Sequence, residues 1–323
     1  MYTFTSSEID TYLACRRKHN FRYAQKIVPV QSDISLDFGS AVHEGLRDFF
    51  TWYYERGDDL DKSMRIAIDS AVEYATENNL DPVTISKVSA MVEAYCTYWA
   101  EHKNDDCIKN YDVLDVEQTY DLNLSDFCIA GKIDALLKEK DTGRIYILDH
   151  KTASNPDEDY FDKVRFDNQM MFYAMIIDAL LGDNSFLERY NLDEKTEIGG
   201  IIYDVLSKPA IRQKKGETDS EFLDRYKQSA SFTRHVVSID NRLTTYLYSQ
   251  KVEILQLCEE MAKKYDSALP NTRNCLVYGT CPYFNLCKCL INRVAFESEL
   301  GCEYKRMRIH SELDEQYSHE KEN

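Results

Sequence analysis

Apolar positions recur every three or four residues through most of the first hundred residues. The stretches "AVHEGLRDFFTWYY" (41–54) and "ISKVSAMVEAYCTYWAEH" (85–102) both show this spacing, which places the apolar side chains on one face of a helix. Ser6 with Glu8 close behind it is typical of a helix start. From Ser6 to about residue 105 the pattern therefore predicts a mainly helical region.

The pattern then changes to short runs of strand-forming residues. Three such runs follow one another, "YDVLDVEQTYDLNL" (111–124), "FCIAGKIDALLKEK" (127–140) and "RIYILDHKT" (144–152). The residues "KDTG" (140–143) supply a turn between the last two runs. We expect three antiparallel strands in succession.

Helices and strands alternate in the rest of the chain, which places it in the mixed α/β class. The last long helix is followed by a group of cysteines. The expected elements are a helix at about 162–182, a strand at 197–206, a charged stretch near 212–230, a strand at 232–239 and a long helix at about 240–267.

Composition and charge exclude some classes of protein. A net charge of -17 over 323 residues argues against a protein that coats nucleic acid nonspecifically, because bulk affinity for phosphates needs a basic face. A bound divalent cation could cancel part of that charge locally. The N-terminus has no signal-peptide pattern and no apolar run approaches about 18 residues. We therefore expect a soluble cytoplasmic protein with no membrane partner.

The stretch "YILDHKTAS" (146–154) sets three polar residues at the end of an apolar strand. Side chains alternate along a strand, so Asp149 and Lys151 point one way and His150 the other. Asp134 in "GKIDAL", on the preceding strand, is a second carboxylate among apolar neighbours. A lone Asp-x-Lys would be a solvated ion pair worth roughly 0–1 kcal/mol. Two carboxylates beside a lysine instead predict a hard-cation site.

Two further pairs of residues lie four positions apart and so share a helical face. One is Gln169 with Tyr173, shortly after the lysine strand, and the other is Gly39 with His43. Taken singly, these are typical of ordinary helix surface or core positions. Their order along the chain, together with Asp134, carries more information than any one pair.

This order of motifs resembles the RecB-like branch of the PD-(D/E)XK nucleases. The segment "SSEIDTYLACRRKHNFRY" (6–23) is similar to the opening segment of that family, in which a cysteine precedes basic and aromatic residues. The resemblance extends from Cys15 to Cys287. The residues that carry it are His43, then Asp134, then Asp149 and Lys151, then Gln169 and Tyr173.

The resemblance implies a restriction-endonuclease-like fold, with a central mixed sheet flanked by helices and a helical N-terminal region. It implies one nuclease domain over residues 1–310, with a polar tail at 311–323 that we expect to be disordered. Within that domain we distinguish a mainly helical part (1–105), a catalytic core (111–206), a strand with helices (207–270) and a cysteine cluster (271–290).

The resemblance also implies roles at the site. Asp134 and Asp149 would bind Mg²⁺ or Mn²⁺, together with the main-chain carbonyl of His150 and the side chain of His43. Such a cation activates water and offsets the charge that develops on a phosphate. Lys151 would orient the attacking water and stabilise that charge.

The same likeness assigns Gln169 and Tyr173 to holding the lysine, the scissile phosphate or the neighbouring nucleotide. We therefore predict catalytic roles for these two residues beside those of the metal ligands.

The segment "NCLVYGTCPYFNLCKCL" (274–290) contains four cysteines. Clustered thiolates in a reducing compartment point to zinc or an iron-sulfur cluster, and spacing alone leaves both open. The resemblance implies a [4Fe-4S] cluster that joins the two ends of the chain. Five residues separate the first two cysteines, which departs from the family spacing, so Cys289 stays an alternative ligand. The implied ligands are Cys15, Cys275, Cys281 and Cys287.

The sequence thus predicts a metal-dependent deoxyribonuclease, in particular an exonuclease acting on single-stranded DNA or duplex ends. It resembles stand-alone nucleases of CRISPR adaptation and of phage or repair recombination. One alternative is an end-trimming or endonucleolytic subunit that works with helicase or CRISPR-adaptation partner proteins. Another is a catalytically idle DNA-binding scaffold, which the intact set of Asp134, Asp149 and Lys151 disfavours.

Overall fold

A computed structural model describes most of the chain, in two compact units that are interleaved along the sequence. The first unit consists of Met1–Ser32, Thr119–Lys132 and Thr245–Asn323, and the second of Asp33–Gln118 and Ile133–Thr244. The described residues are 2–30, 34–102, 108–154, 156–239, 241–262, 268–277, 279–290, 293–310 and 313.

Parts of the predictions fall outside these residues. They are most of the polar tail at 311–323, positions 31–33 and 103–105 of the expected helical region, and positions 240 and 263–267 of the expected long helix. The prediction of one domain over residues 1–310 stays a prediction.

The strands and helices are numbered in chain order. The strands are β1 Tyr2–Phe4, β2 Ile27–Pro29, β3 Tyr111–Asn123, β4 Phe127–Glu139, β5 Ile145–Ala153, β6 Ile198–Ser207, β7 Ser231–Ser238 and β8 Tyr304–Arg306. The α-helices are α1 Ser6–Ala14, α2 Arg16–His19, α3 Ile34–Phe49, α4 Leu60–Glu77, α5 Pro82–Glu101, α6 Glu158–Asp162, α7 Asn168–Leu180, α8 Asn184–Tyr190, α9 Asp219–Ser229, α10 Asn241–Ala262, α11 Phe284–Cys289 and α12 Arg293–Glu303.

The chain has the mixed α/β architecture that the sequence predicts, with a central mixed sheet flanked by helices. In the second unit β4 runs antiparallel to β5, β5 parallel to β6, and β6 antiparallel to β7. Strand β3 pairs with β4. The parallel step falls between β5 and β6, where α6, α7 and α8 form the connection, as a crossover requires.

The prediction of a single continuous helix at about 162–182 is wrong, because the helix is interrupted. Helix α6 ends at Asp162, a 3₁₀ turn follows at Lys163–Phe166, and α7 begins at Asn168. The break has a local cause, because the Asp167 carboxylate accepts hydrogen bonds from the main-chain N–H groups of Gln169 and Met170. That cap starts a new helix at a defined residue.

The core of the second unit lies between the sheet and helices α3, α4 and α5. Ala67, Ala71 and Ala75 are fully buried on one face of α4, where small side chains let α3 approach closely. At Gly45 of α3 a β-carbon would come within 2.8 Å of the Ala67 main-chain oxygen. Helix α7 is also largely buried, and it packs against β6.

The first unit holds the remaining short strands. Strand β1 pairs in parallel with Phe127–Ile129 of β4, and β2 pairs antiparallel with β8. These three-residue strands were not predicted, because three residues are too few to show an alternating pattern. A small core joins β2 and β8 to the C-terminal helices, and it consists of Phe21, Ile27, Tyr283, Leu286 and Tyr304.

No single helix among the described residues is both long and apolar enough to cross a membrane. Helices α7 and α8 meet the same criterion only when taken together, across a bend of 97°. Met170–Ile177 of α7 is buried within the protein.

Candidate functional site

Asp134 lies where the ladder between β4 and β5 stops. Pairing runs from Lys138 opposite Ile145 to Ala135 opposite Leu148. Beyond that point the main-chain N–H of His150 donates to Oδ2 of Asp134 at 2.7 Å. A main-chain donor that leaves a ladder needs another acceptor, and the carboxylate provides it. Asp134 is thereby fixed against the end of β5.

Asp149 and Lys151 point to the same side of β5, as strand alternation predicts. The ammonium of Lys151 lies 2.7 Å from Oδ2 of Asp149. Asp149 is 2 % exposed, and burial raises its pKa to about 6; Lys151 opposes this shift and Asp134 adds to it. Burial lowers the pKa of Lys151, but the charges of Asp149 and Asp134 reverse that effect and raise it overall. At neutral pH the pair is ionised.

Gln169 and Tyr173 lie on one face of α7 and extend the chain of hydrogen bonds from Lys151. Oε1 of Gln169 accepts from the lysine ammonium at 2.7 Å, and Nε2 donates to the Tyr173 hydroxyl at 2.8 Å. Asp167 holds the start of this helix, and its Oδ2 accepts from the Tyr203 hydroxyl at 2.6 Å. The Lys151 ammonium is therefore held by two partners, Asp149 and Gln169.

His43, Glu117 and Asp134 form a group of possible metal ligands. One donor atom from each lies within 4.8 Å of the other two, and Nδ1 of His43 is 3.5 Å from Oδ2 of Asp134. The pKa of His43 is lowered to about 3, first by burial and then by the charges of His150 and Lys151. The imidazole is thus neutral at pH 7, which is the form that binds a cation.

Glu117 is the one member of this group that the sequence did not reveal. It lies in β3 but has a φ of 52°, in the left-handed region that interrupts an extended strand. Val113 and Val116 both pack against the core, although strict alternation would place them on opposite faces. The side of the strand to which Glu117 points therefore does not follow from alternation. The available signal was a glutamate within a strand that precedes "GKID".

The His150 imidazole lies on the other face of β5. It is 3 % exposed, and its Nδ1 is 3.4 Å from Oδ2 of Asp204. Its main chain, by contrast, faces the candidate site, since it contacts Asp134 and hydrogen-bonds to the His43 imidazole. Ligation of a metal by the His150 carbonyl stays a prediction.

The predicted site residues are far apart in the sequence, and the structure brings them together. Three carboxylates and a neutral imidazole provide oxygen and nitrogen ligands suited to a divalent cation. A lysine held by two partners stands beside them. Such an arrangement can bind a phosphate and activate water next to it. The predicted residues that it includes are His43, Asp134, Asp149, Lys151, Gln169 and Tyr173.

The predicted cysteine ligands come together in the first unit. Cys15 separates α1 from α2, and its Sγ accepts the main-chain N–H of Asn271 at 3.3 Å. The main-chain N–H of Cys281 donates to the Cys275 carbonyl at 2.8 Å. Burial raises the pKa of Cys287, Arg17 opposes this, and Cys281 and Cys15 are near enough to raise it further. Four cysteines from the two ends of the chain thus share one region.

Cys289 is placed differently from Cys287. Both lie on α11, and residues two apart on a helix point about 200° away from each other. Since Cys287 faces Cys15 and Cys281, Cys289 is directed to another side of the helix.

Comparison with protein families gives a match over most of the chain. The family model described as "PD-(D/E)XK nuclease superfamily" matches residues 3–288. The matched span contains the whole candidate metal group and all four predicted cysteine ligands. No curated protein matches the chain.

Proposed function

Because the chain belongs to the PD-(D/E)XK nuclease superfamily, we propose that it is a RecB-like deoxyribonuclease that cleaves single-stranded DNA or duplex ends. The family implies a metal-dependent nuclease, and one observation carries the assignment to this site. Lys151, held 2.7 Å from both Asp149 and Gln169, stands beside the group of His43, Glu117 and Asp134.

The residues present fit a Mg²⁺ or Mn²⁺ ion. The donor atoms of His43, Glu117 and Asp134 already lie within 4.8 Å of one another, and the buried Asp149 carboxylate has a raised pKa, which a cation would lower again. A bound cation supplies positive charge that acidifies a water molecule and offsets the charge that builds up on the phosphate. This charge also lets an acidic chain approach a polyanion.

The residues of the chain supply the remaining steps. Lys151 keeps its proton, so its ammonium can donate to a phosphate oxygen or to the attacking water. Gln169 fixes the direction of that ammonium, and Tyr173 fixes Gln169 in turn. The His150 carbonyl is a candidate further ligand. In this arrangement the lysine stabilises charge that develops during cleavage.

The assay that tests this proposal compares single-stranded and duplex DNA, each labelled at either end, with Mn²⁺, Mg²⁺ or EDTA. We expect cleavage with Mn²⁺ or Mg²⁺ and none with EDTA, because the carboxylates cannot activate water unaided. Successive loss of nucleotides from one labelled end would identify an exonuclease and its polarity. RNA of the same sequence serves as the control for sugar preference. Absence of metal-dependent products under every condition would leave a DNA-binding scaffold as the better assignment.

We propose further that Cys15, Cys275, Cys281 and Cys287 hold a [4Fe-4S] cluster. Four thiolates can hold either a tetrahedral zinc or a cluster. The resemblance to RecB-like nucleases, with one cysteine before the core and three after it, favours the cluster. The orientation of Cys289 on α11 favours Cys275 as the fourth ligand. The cluster would tie α1 to the C-terminal segment and so serve structure.

Anaerobically purified protein is expected to be brown, with broad absorption at the blue end of the visible spectrum and about four irons per chain. Cys281→Ser should lose this colour because a hydroxyl is a poor ligand for the cluster. Cys289→Ser is the matched control and should keep it. A colourless wild-type protein that contains zinc would contradict the cluster.

A further inference from the structure

Four buried polar residues form a row behind the strand that carries Asp149 and Lys151. His150, Asp204 and Arg234 are direct neighbours in the registers of β5 with β6 and of β6 with β7. Tyr95 of α5 packs onto them and is fully buried. Because His150 lies between Asp149 and Lys151, the row occupies the opposite face of the sheet. We call these four residues the back-face row.

Asp204 is the centre of the row. Its Oδ2 accepts from Nε of Arg234 at 3.1 Å and from the Tyr95 hydroxyl, and it lies 3.4 Å from Nδ1 of His150. The Arg234 guanidinium also donates to the Tyr95 oxygen at 3.1 Å, and it lies 3.5 Å above the Trp99 ring. Burial raises the pKa of Asp204, but Arg234 and His150 lower it overall. Asp204 is therefore ionised.

Stability alone does not explain such a row. Asp204 is 0 % and Arg234 7 % exposed, and removing two charges from water has a large desolvation cost. Apolar residues of similar volume in place of a buried ion pair often leave stability unchanged or raise it. A buried ion pair also fixes the geometry of the residues that contact it. The residue at the end of the row, His150, is therefore held in a defined position.

The row ends at His150, whose main chain faces the candidate metal site. The main-chain N–H of His150 is the donor to Asp134, and its main chain hydrogen-bonds to the His43 imidazole. Its ring lies edge-on to His43 at 6.0 Å and to Phe50 at 4.8 Å between ring centroids. A change in the direction of the His150 imidazole would therefore displace contacts of two candidate ligands.

We propose that Asp204, Arg234 and Tyr95 are positioning residues that hold His150, and through it Asp134 and His43, in the geometry that binds the divalent cation. This inference rests on the proposed function for the identity of the cation site. None of the three residues contacts the reacting atoms. Their removal should weaken cation binding by about 10- to 100-fold, as is typical for groups that orient metal ligands.

The first test measures Mn²⁺ binding directly, from the electron paramagnetic resonance signal of free Mn²⁺, so that no activity is needed. Asp204→Asn keeps the shape of the side chain and removes its charge, and the dissociation constant for Mn²⁺ should rise about 10- to 100-fold. Tyr95→Phe should raise it by about tenfold or less. Tyr226→Phe, which removes a hydroxyl from a buried tyrosine outside the row, is the control and should bind Mn²⁺ as the wild type does.

The second test separates positioning from stability. The triple variant Tyr95→Phe, Asp204→Leu, Arg234→Met replaces the polar row with apolar side chains, so its unfolding midpoint should stay near that of the wild type. Its Mn²⁺ affinity should nevertheless fall. Its cleavage rate should recover at high Mn²⁺ concentration, with an unchanged KM for DNA, which a general loss of folded structure would not produce.

Wild-type Mn²⁺ affinity in folded Asp204→Asn or in the folded triple variant would overturn the positioning role while leaving the nuclease assignment intact. If the triple variant does not fold, the two single variants decide. If the wild type binds Mn²⁺ and cleaves no nucleic acid, the nuclease assignment fails, and weaker Mn²⁺ binding in the row variants would still support the positioning role.

Discussion

Lys151→Ala is expected to lower the cleavage rate by about 10²- to 10³-fold, the effect of removing one group that stabilises charge in a transition state. The ammonium stands 2.7 Å from Asp149 and 2.7 Å from Gln169, and an alanine leaves this position without a positive charge. Without the lysine the buried Asp149 carboxylate loses its closest positive partner, and its pKa should rise above about 6. Part of the lost rate therefore reflects protonation of a proposed metal ligand.

The fold should survive this change at pH 6, because the unpaired carboxylate can take up a proton. Single-turnover rates on end-labelled single-stranded DNA at saturating Mn²⁺ give the effect on cleavage, and thermal unfolding at pH 6 and pH 8 gives the effect on stability. Lys138→Ala is the matched control, since Lys138 lies in β4 and its ammonium donates to the Asn191 carbonyl at 3.3 Å. Wild-type cleavage by Lys151→Ala would refute the role assigned to the lysine.

Much of the fold is readable from local pattern. The strand predicted at 144–152 is β5, which spans Ile145–Ala153 in the structure. The strand predicted at 197–206 is β6, which spans Ile198–Ser207. Those strands are long and apolar, and turn residues mark their ends. Strands β1, β2 and β8 have three residues each and show no period. Their pairing depends on distant segments, which a local pattern cannot report.

Some residues of the candidate site could likewise be predicted from local pattern, and others could not. The order of the motifs indicated His43, Asp149 and Lys151, and their contacts depend mainly on strand alternation and helix spacing. Glu117 and Asp204 were missed for different reasons. The facing of Glu117 depends on a single left-handed residue, and that of Asp204 on which strands are neighbours. A charge inside the apolar run "IIYDVL" (201–206) was the signal for Asp204, since a buried carboxylate needs a partner.

The burial of Asp149 has a consequence for stability as well as for catalysis. Its pKa is raised from 3.8 to about 6, so between these values the folded protein binds more protons than the unfolded chain. Stability must then fall as the pH rises through this window. A shift of this size corresponds to up to about 3 kcal/mol, which the metal-free protein loses when Asp149 ionises. Lys151 keeps Gln169 as a partner if the carboxylate is removed.

Asp149→Asn is therefore expected to abolish cleavage and to raise the stability of the metal-free protein at pH 7.5 by up to about 3 kcal/mol. An asparagine resembles the protonated acid, so the gain should vanish below about pH 4. Mn²⁺ should reverse the order of stabilities, because a cation that binds only the folded state stabilises the wild type and binds the variant less tightly. Chemical denaturation in EDTA and in Mn²⁺ measures both effects, with the exposed Asp141→Asn as the control. A metal-free Asp149→Asn that is no more stable than the wild type at pH 7.5 would show that the ion pair with Lys151 outweighs the cost of burial.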